Sequence, residues 1–325
     1  MKSKKWILTK GCVLVLFLIL YSCQSSENQK DLTPSNSYIF ILGVAQDAGY
    51  PQANCEKECC QRVYENPENG RLVSSIAIVD PISKEEWIFD ATPDFTKQLK
   101  LLNNQTKRQR DLPEGIFLTH AHMGHYTGLM YLGREVMGAK NVPIYTMPRM
   151  KNYLETNGPW SQLVALKNIE LRTIQNMESV QLNERISVTP IQVPHRDEFS
   201  ETVGYLINIS SKKVLFVPDI DKWELWAHSI VELIQQVDIA LLDATFFKNG
   251  EINRAMSEVP HPFVEESIDL FKDLSNTDKS KVHFIHFNHT NPLLIKNSDA
   301  QKTVLKNGFN IAEQGMVISL FKNEE

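Results

Sequence analysis

The chain has 325 residues and a formal net charge of −5 at neutral pH. Removal of residues 1–22, which hold four lysines and no acid, would change this charge to −9. Nucleic-acid binding requires a basic surface, so we expect no nucleic-acid partner. About 300 residues remain, which suits a single α/β domain.

Residues 1–22 have the pattern of a secretory signal, in which four lysines precede a short apolar stretch from Gly11 to Leu20. This stretch is short for a membrane span. The following "LYSC" resembles a bacterial lipoprotein signal, with Cys23 as the acylated first residue of the mature chain. We therefore expect a cell-envelope lipoprotein, held by its lipid at the outer membrane and facing the periplasm or the surface. The alternatives are an uncleaved anchor and an ordinary secretory signal.

Residues 23–36 are polar and are interpreted as a flexible tether, and residues 37–325 as one domain. Runs of β-forming residues predict strands at 38–44, 72–80, 85–91, 115–120 and 142–147, a second group at 186–193, 202–209, 213–219, 239–245 and 281–287, and a last strand at 316–321. Apolar spacing predicts helices across 95–102, 129–136, 223–230 and 264–271. Two groups of strands with accompanying helices predict two sheets packed face to face, with helices outside.

Polar residues stand at the ends of several predicted strands, where loops converge and sites are usually built. The clearest case is "THAHMGH", which places His120, His122 and His125 within six positions directly after an apolar run. In an extended segment residues two apart point the same way, so His120 and His122 can bind one ion while His125 reaches a neighbouring one. This spacing predicts a metal centre.

The motif resembles the H-x-H-x-D-H signature of the metallo-β-lactamase fold, which implies an αββα sandwich over residues 37–325. By this resemblance Asp90 supports the histidine loop, and Gly124 stands where the family has an aspartate. The second metal site is therefore expected to be weakened, and Gly124→Asp to increase metal retention. The implied ligands are His120, His122 and His195 for the first metal and His125, Asp219 and His286 for the second.

Three clustered cysteines follow the first predicted strand, and an odd number is poorly explained by disulfides alone. The segment "VAQDAGYPQANCEKECC" resembles both coenzyme PQQ synthesis protein B and the phosphoribosyl cyclic phosphate phosphodiesterases, and "HTNPLL" resembles the former. The phosphodiesterase resemblance implies a structural zinc held by Cys55, Cys59, Cys60 and His289. The alternative is a set of unpaired or partly oxidised thiols.

His261 opens a predicted helix and resembles a histidine that phosphodiesterases of this fold use as a proton donor, although a plain surface role fits such a position equally.

Together these features predict a metal-dependent hydrolase that uses a metal-bound hydroxide on a small phosphodiester, cyclic phosphate or other ester. Asp219 would orient the nucleophile, and His261 would act as the acid. Zinc is expected at one or two catalytic positions and at one structural position. Iron or manganese, an iron-dependent oxygenase activity, and a non-catalytic binding lipoprotein are the alternatives.

Overall fold

The computed structural model describes residues 34–108, 112–253, 255 and 258–321. The predicted signal, Cys23 and most of the tether lie outside these residues. No helix in the described ranges is long and apolar enough to cross a membrane. The strands are β1 Tyr38–Gly43, β2 Ser75–Asp80, β3 Glu85–Phe89, β4 Gly115–Phe117, β5 Val142–Thr146, β6 Ile169–Thr173, β7 Val180–Gln181, β8 Ile186–Gln192, β9 Val203–Ile209, β10 Lys212–Val217, β11 Ile239–Asp243, β12 Val282–Ile285, β13 Asn310–Ile311 and β14 Val317–Ser319. The helices are α1 Glu58–Glu65, α2 Phe95–Thr106, α3 Met123–Tyr126, α4 Pro148–Thr156, α5 Trp160–Ala165, α6 Ile230–Gln236, α7 Val264–Leu270, α8 Asn276–Lys279 and α9 Asp299–Lys306.

The strands form two mixed sheets of seven strands each, in the orders β14-β1-β2-β3-β4-β5-β6 and β13-β12-β11-β10-β9-β8-β7. In the first sheet β3 to β6 are parallel, and in the second β10 to β13 are parallel. The last strand, β14, returns to pair with β1. The two strand groups predicted from the sequence are therefore the two sheets, with β14 joining the first.

Aromatic side chains from both sheets meet in the core between them. The ring of Phe89 on β3 lies 5.2 Å from Tyr205 on β9 and 6.1 Å from Phe216 on β10, in edge contacts. Phe117 on β4 contacts the same Tyr205 ring at 5.6 Å. Such edge-to-face contacts suit the ring quadrupoles and fix the separation of the sheets. The face-to-face sandwich is confirmed.

Two of the four predicted helices, at 129–136 and 223–230, are not continuous helices in the structure, so these predictions were wrong. A 3₁₀ segment, Thr127–Leu132, replaces the first of them, and Val136 is 61% exposed. The second is divided into a 3₁₀ turn at Trp223–Leu225 and helix α6, because Ser229 caps α6 by accepting a hydrogen bond from the Glu232 amide. The predicted helices at 95–102 and 264–271 correspond to α2 and α7.

Candidate metal centre

Four predicted ligands from three separate loops meet at the carboxyl ends of β4, β8 and β10. Their facing atoms are His120 Nε2, His122 Nδ1, His195 Nε2 and Asp219 Oδ2. The His122 nitrogen lies 2.8 Å from that of His120 and 3.3 Å from that of His195. The Asp219 oxygen is 3.3 Å and 3.2 Å from the same two partners. Three imidazole nitrogens and a carboxylate oxygen at these separations form a ligand set for one ion.

A second set shares Asp219 and adds His125, His286 and a residue that the sequence analysis did not identify, Asp47. Asp47 Oδ1 lies 2.8 Å from His125 Nε2 and 3.3 Å from His286 Nε2. Asp219 Oδ2 lies 3.8 Å from His125 Nε2. Because Asp219 belongs to both sets, the two groups can hold a pair of neighbouring ions.

The expectation that Gly124 leaves the second site short of a carboxylate is therefore corrected. Asp47, in the loop after β1, places a carboxylate beside both histidines of this set. A Cβ atom at position 124 would lie 2.4 Å from the Cα atom of Asp47, so a side chain there would collide with this loop. The space beside the histidine loop is filled by Asp47, and Gly124→Asp is expected to reduce metal retention.

The ligand histidines are oriented by hydrogen bonds at their other ring nitrogens. Asp90 Oδ2 accepts from His125 Nδ1 at 2.7 Å, and Asp221 Oδ1 accepts from His195 Nδ1 at 2.9 Å. Hydroxyl groups contact Nδ1 of two more, that of Thr119 for His120 and that of Thr245 for His286, both at 2.9 Å. Such partners fix the tautomer and the direction of the ligating nitrogen. Asp90 thus takes the supporting position predicted for it.

The chemistry of the donor set fits a metal ion. Asp219 Oδ1 is buried without a hydrogen-bond partner among the described residues, and His261 Nδ1 lies 3.3 Å from it. Burial lowers the pKa of His120 well below its ordinary value, so this imidazole is neutral and offers a lone pair. Burial by itself would raise the pKa of the Asp219 carboxyl, but the nearby His195 and His261 hold this pKa well below the usual range. Burial opposes protonation of His195, but Asp219 and Asp221 raise its pKa to about 10, so a bound zinc would replace the proton on this imidazole.

His261 lies in the loop before α7 and is 8% exposed, which contradicts a plain surface role. Its Nδ1 atom is 2.9 Å from Asp243 Oδ2, at the end of β11. Burial opposes protonation, yet Asp243 and Asp219 raise the pKa of His261. Its ring lines a cavity of about 490 Å³ together with Arg196, Gln52 and other residues. The His261 imidazole lies beside the metal ligands and can therefore face a molecule bound in this cavity.

The cysteine cluster also assembles as the sequence suggested. Cys55, Cys59, Cys60 and His289 place their ligand atoms within 4.8 Å of one another. His289 Nδ1 is 3.4 Å from the Cys60 sulfur and 3.6 Å from the Cys59 sulfur. Burial raises the pKa of Cys60 to about 12. A cation would reverse that shift by stabilising the thiolate, so the donor set suits zinc.

The sequence analysis missed Asp47, Asp221 and Asp243. For Asp243 a signal was available, because the letters D-A-T occur where each of β3 and β11 ends, at residues 90–92 and 243–245, and each aspartate supports a histidine beyond its own strand. Asp221 stands two residues after Asp219 and could have been found as a carboxylate near a predicted ligand. Asp47 had no such signal, since its partner His125 is 78 residues away.

Two facing mixed sheets with a histidine and carboxylate cluster at their strand ends define a metallohydrolase of the αββα type. Residues 86–287 match the family described as Beta-lactamase superfamily domain, and the chain belongs to this family.

The relatives and solved structures extend the similarity beyond that range. The chain is 27% identical over 313 residues to coenzyme PQQ synthesis protein B of Methylococcus capsulatus, which covers 87% of this chain and 99% of that protein. The zinc-bound PqqB structure from Methylobacterium extorquens has a TM-score of 0.73 at 23% identity, over 87% of this chain and all of the other. A diphosphatase of the PhnP family has a TM-score of 0.59 at 20% identity, over 87% of this chain and 96% of the other. At these identities the two structures show the fold.

Proposed function

We propose that this metallohydrolase is a phosphodiesterase that acts on small diesters or cyclic phosphates. The observation that carries the proposal is the position of His261, which lies between the shared ligand Asp219 and a cavity of about 490 Å³. Cavities of this size hold small organic molecules. The name of the PhnP-family diphosphatase, a protein of the same fold, is in line with phosphoryl chemistry.

The two ligand sets on Asp219 would hold the catalytic ions, with zinc as the metal favoured by the histidine content. When bound, zinc supplies a nucleophile at neutral pH by lowering the pKa of water to about 7, and it withdraws charge from a phosphoryl oxygen. The other steps fall to side chains of this chain.

His261 is proposed as the general acid that protonates the leaving oxygen of the diester. Asp243 holds its Nδ1 atom at 2.9 Å, which fixes the ring while the cavity borders it. Asp243 and Asp219 raise the pKa of this imidazole against the effect of burial, which favours the protonated form that an acid requires. The alcohol released from an alkyl diester would depart as an alkoxide, which needs this proton. A good leaving group, whose anion is stable, does not need it.

The cavity lining favours a substrate that is only partly polar and that carries an anionic group on the side of Arg196. Arg196 brings a positive charge and Glu258 a negative one, Gln52 and Asn288 bring amides, and Phe246 and Ile252 bring apolar surface. A guanidinium recognises phosphate oxygens by paired hydrogen bonds. One phosphate with a small organic group on each side fits this combination.

The experiment is a screen of the purified protein, loaded in turn with zinc, manganese and iron, against a diester, a cyclic phosphate, a monoester, a lactone and a β-lactam. We expect the diester or the cyclic phosphate to be hydrolysed fastest. Turnover restricted to the lactone or the β-lactam would refute the phosphodiesterase proposal.

A second candidate function is favoured by the full-length similarity to proteins named coenzyme PQQ synthesis protein B. A histidine-rich ligand set also suits Fe(II) and oxygen chemistry. Metal analysis of protein purified without added zinc separates the two. Iron at the catalytic ligands, together with oxygen consumption on turnover, would favour the oxidative function over hydrolysis.

We also propose that the protein is a membrane-attached lipoprotein, on the basis of the "LYSC" sequence ending at Cys23. Several acyl chains on one residue give stable anchoring. Cys23→Ser should move the protein from the membrane fraction to the soluble fraction. A variant that stays fully membrane-bound would refute lipid attachment at Cys23.

A further inference from the structure

We infer that Asp47 is a direct ligand of the second catalytic ion, and that position 124 is glycine because the Asp47 main chain occupies the space beside it. The inference rests on the metal-binding part of the proposed function and not on the substrate. It makes the loop after β1 part of the metal centre.

The distances place Asp47 among the ligands. A tetrahedral site with ligands at about 2.1 Å brings neighbouring ligand atoms roughly 3.3 to 3.6 Å apart. The distance of 3.3 Å from Asp47 Oδ1 to His286 Nε2 lies in this range. The distance of 2.8 Å to His125 Nε2 is that of a hydrogen bond, and it would lengthen when an ion replaces the shared proton. Since the Nδ1 atom of each of these histidines already has a partner, in Asp90 and Thr245, both Nε2 atoms are directed at the carboxylate. One oxygen of Asp47 therefore completes the set with Asp219.

The requirement for glycine at position 124 is one of space. A Cβ atom there would approach the Asp47 Cα atom to 2.4 Å, its Cβ to 2.7 Å and its Cγ to 2.8 Å. Gly124 lies in α3 and is not among the glycines with positive φ, so its backbone conformation is open to other residues. A side chain at position 124 would have to displace the main chain of Asp47, and its carboxylate with it.

The loop that carries Asp47 is fixed to the segment that carries His286. The Gln46 amide donates to the Phe287 carbonyl at 2.8 Å, and the Phe287 amide donates to the Val44 carbonyl at 2.7 Å. The Ser74 amide holds the Ala45 carbonyl at 2.7 Å. These bonds set the residues before Asp47 and the residue after His286 in register. The carboxylate is thus held in place beside its partner histidine by the fold.

The first test removes the carboxylate. Full-length Asp47→Ala and Asp47→Asn proteins would be loaded with zinc, and bound metal would be counted by mass spectrometry and its affinity measured by competition with a chelator. We expect the affinity of one ion to fall by at least about 100-fold, more than the loss of a supporting residue causes. Asp94→Asn is the matched control. Asp94 and Asp47 both line a cavity of about 900 Å³, and their side chains are similarly exposed. Retention of every ion at wild-type affinity in both Asp47 variants would overturn the inference.

The second test adds a methyl group and removes no ligand. Gly124→Ala should release the same ion as Asp47→Ala, and the double variant should lose no more affinity than either single variant, because both changes remove one interaction. Gly158→Ala is the control, since no atom lies within 4 Å of a Cβ at that position. A Gly124→Ala protein that keeps the ion at full affinity, or losses that add in the double variant, would refute the proposed link.

The ion at the cysteine cluster reports folding in each variant, because it should remain bound when only the second catalytic ion is lost. If Gly124→Ala unfolds and loses every ion, Asp47→Asn decides the matter, since it preserves shape. A wild-type protein that hydrolyses no substrate, while these variants still lose one ion, would refute the proposed function and support this inference.

Discussion

His286 of the catalytic centre and His289 of the cysteine cluster are three residues apart, but the two sites are built in opposite ways. The catalytic ligands come from loops after five different strands, in both sheets, and His120, His125 and His286 are at most 1% exposed. The cysteine cluster joins one segment, around the start of α1, to His289 alone. Of its cysteines only Cys60 is buried.

The supporting contacts differ in the same way. Each buried catalytic histidine has a carboxylate or hydroxyl partner on its second nitrogen, whereas the cluster thiols contact backbone amides, such as that of Gln52 at 3.4 Å from the Cys60 sulfur. The strands therefore preorganise the catalytic ligands before any ion binds. For the cysteine cluster we expect a bound ion to contribute directly to folding stability, as structural zinc sites generally do.

The largest effect is expected for Asp219→Asn, which removes the one carboxylate common to both catalytic sets. The number of bound ions should fall from about three to about one, with the ion at the cysteine cluster retained. Turnover should fall by more than about 10⁴-fold, because metal chemistry and ligand order are lost together. Metal analysis and diester kinetics are the measurements, and Asp238→Asn, at the opposite end of β11, is the control. Two catalytic ions still bound in Asp219→Asn would contradict the shared position.

His261→Gln should lower turnover by about 10² to 10⁴-fold while all ions remain, because this side chain acts on the leaving group and not on the metal. The loss should be largest for poor leaving groups. His283→Gln is the matched control, since His283 is equally buried on β12 but outside the cluster. A variant that loses metal, or that hydrolyses a poor leaving group at full rate, would rule out the acid role.

Asp90→Asn tests the preorganisation by the strands. It keeps the shape of the side chain but weakens the bond to His125 Nδ1, so the second ion should bind about 10- to 100-fold less tightly. Chelator competition measures this change. Asp80→Asn is the control, because Asp80 is equally buried but pairs with Arg185, away from the metal centre. Equal affinities in the Asp90 variant and the wild type would show that the supporting bond does not matter.

Cys60→Ser should have the smallest effect on catalysis. One ion should be lost and the melting temperature should drop by several degrees, since metal binding here is coupled to folding. Turnover should change by less than about tenfold, because the cysteine segment affects the catalytic centre only through the loop that carries Asp47. Calorimetry measures the melting temperature and kinetics the turnover. Gln61→Ser is the control, because Gln61 is exposed and lies on the same helix. An unchanged melting temperature with one ion fewer would mean that the cluster has no structural role.

The sequence by itself determined the two-sheet sandwich, because buried strands need uninterrupted apolar runs that can be recognised locally. It also determined the histidine loop, where neighbours in the chain are neighbours in space. Short edge strands such as β6, β7 and β13 escaped prediction because they bury little apolar surface. Only the tertiary structure decided that Asp47 contacts His125. It also decided that position 124 has no room for a side chain beside Asp47. A contact over 78 residues is set by how β1 pairs within its sheet, and local spacing carries no trace of that pairing.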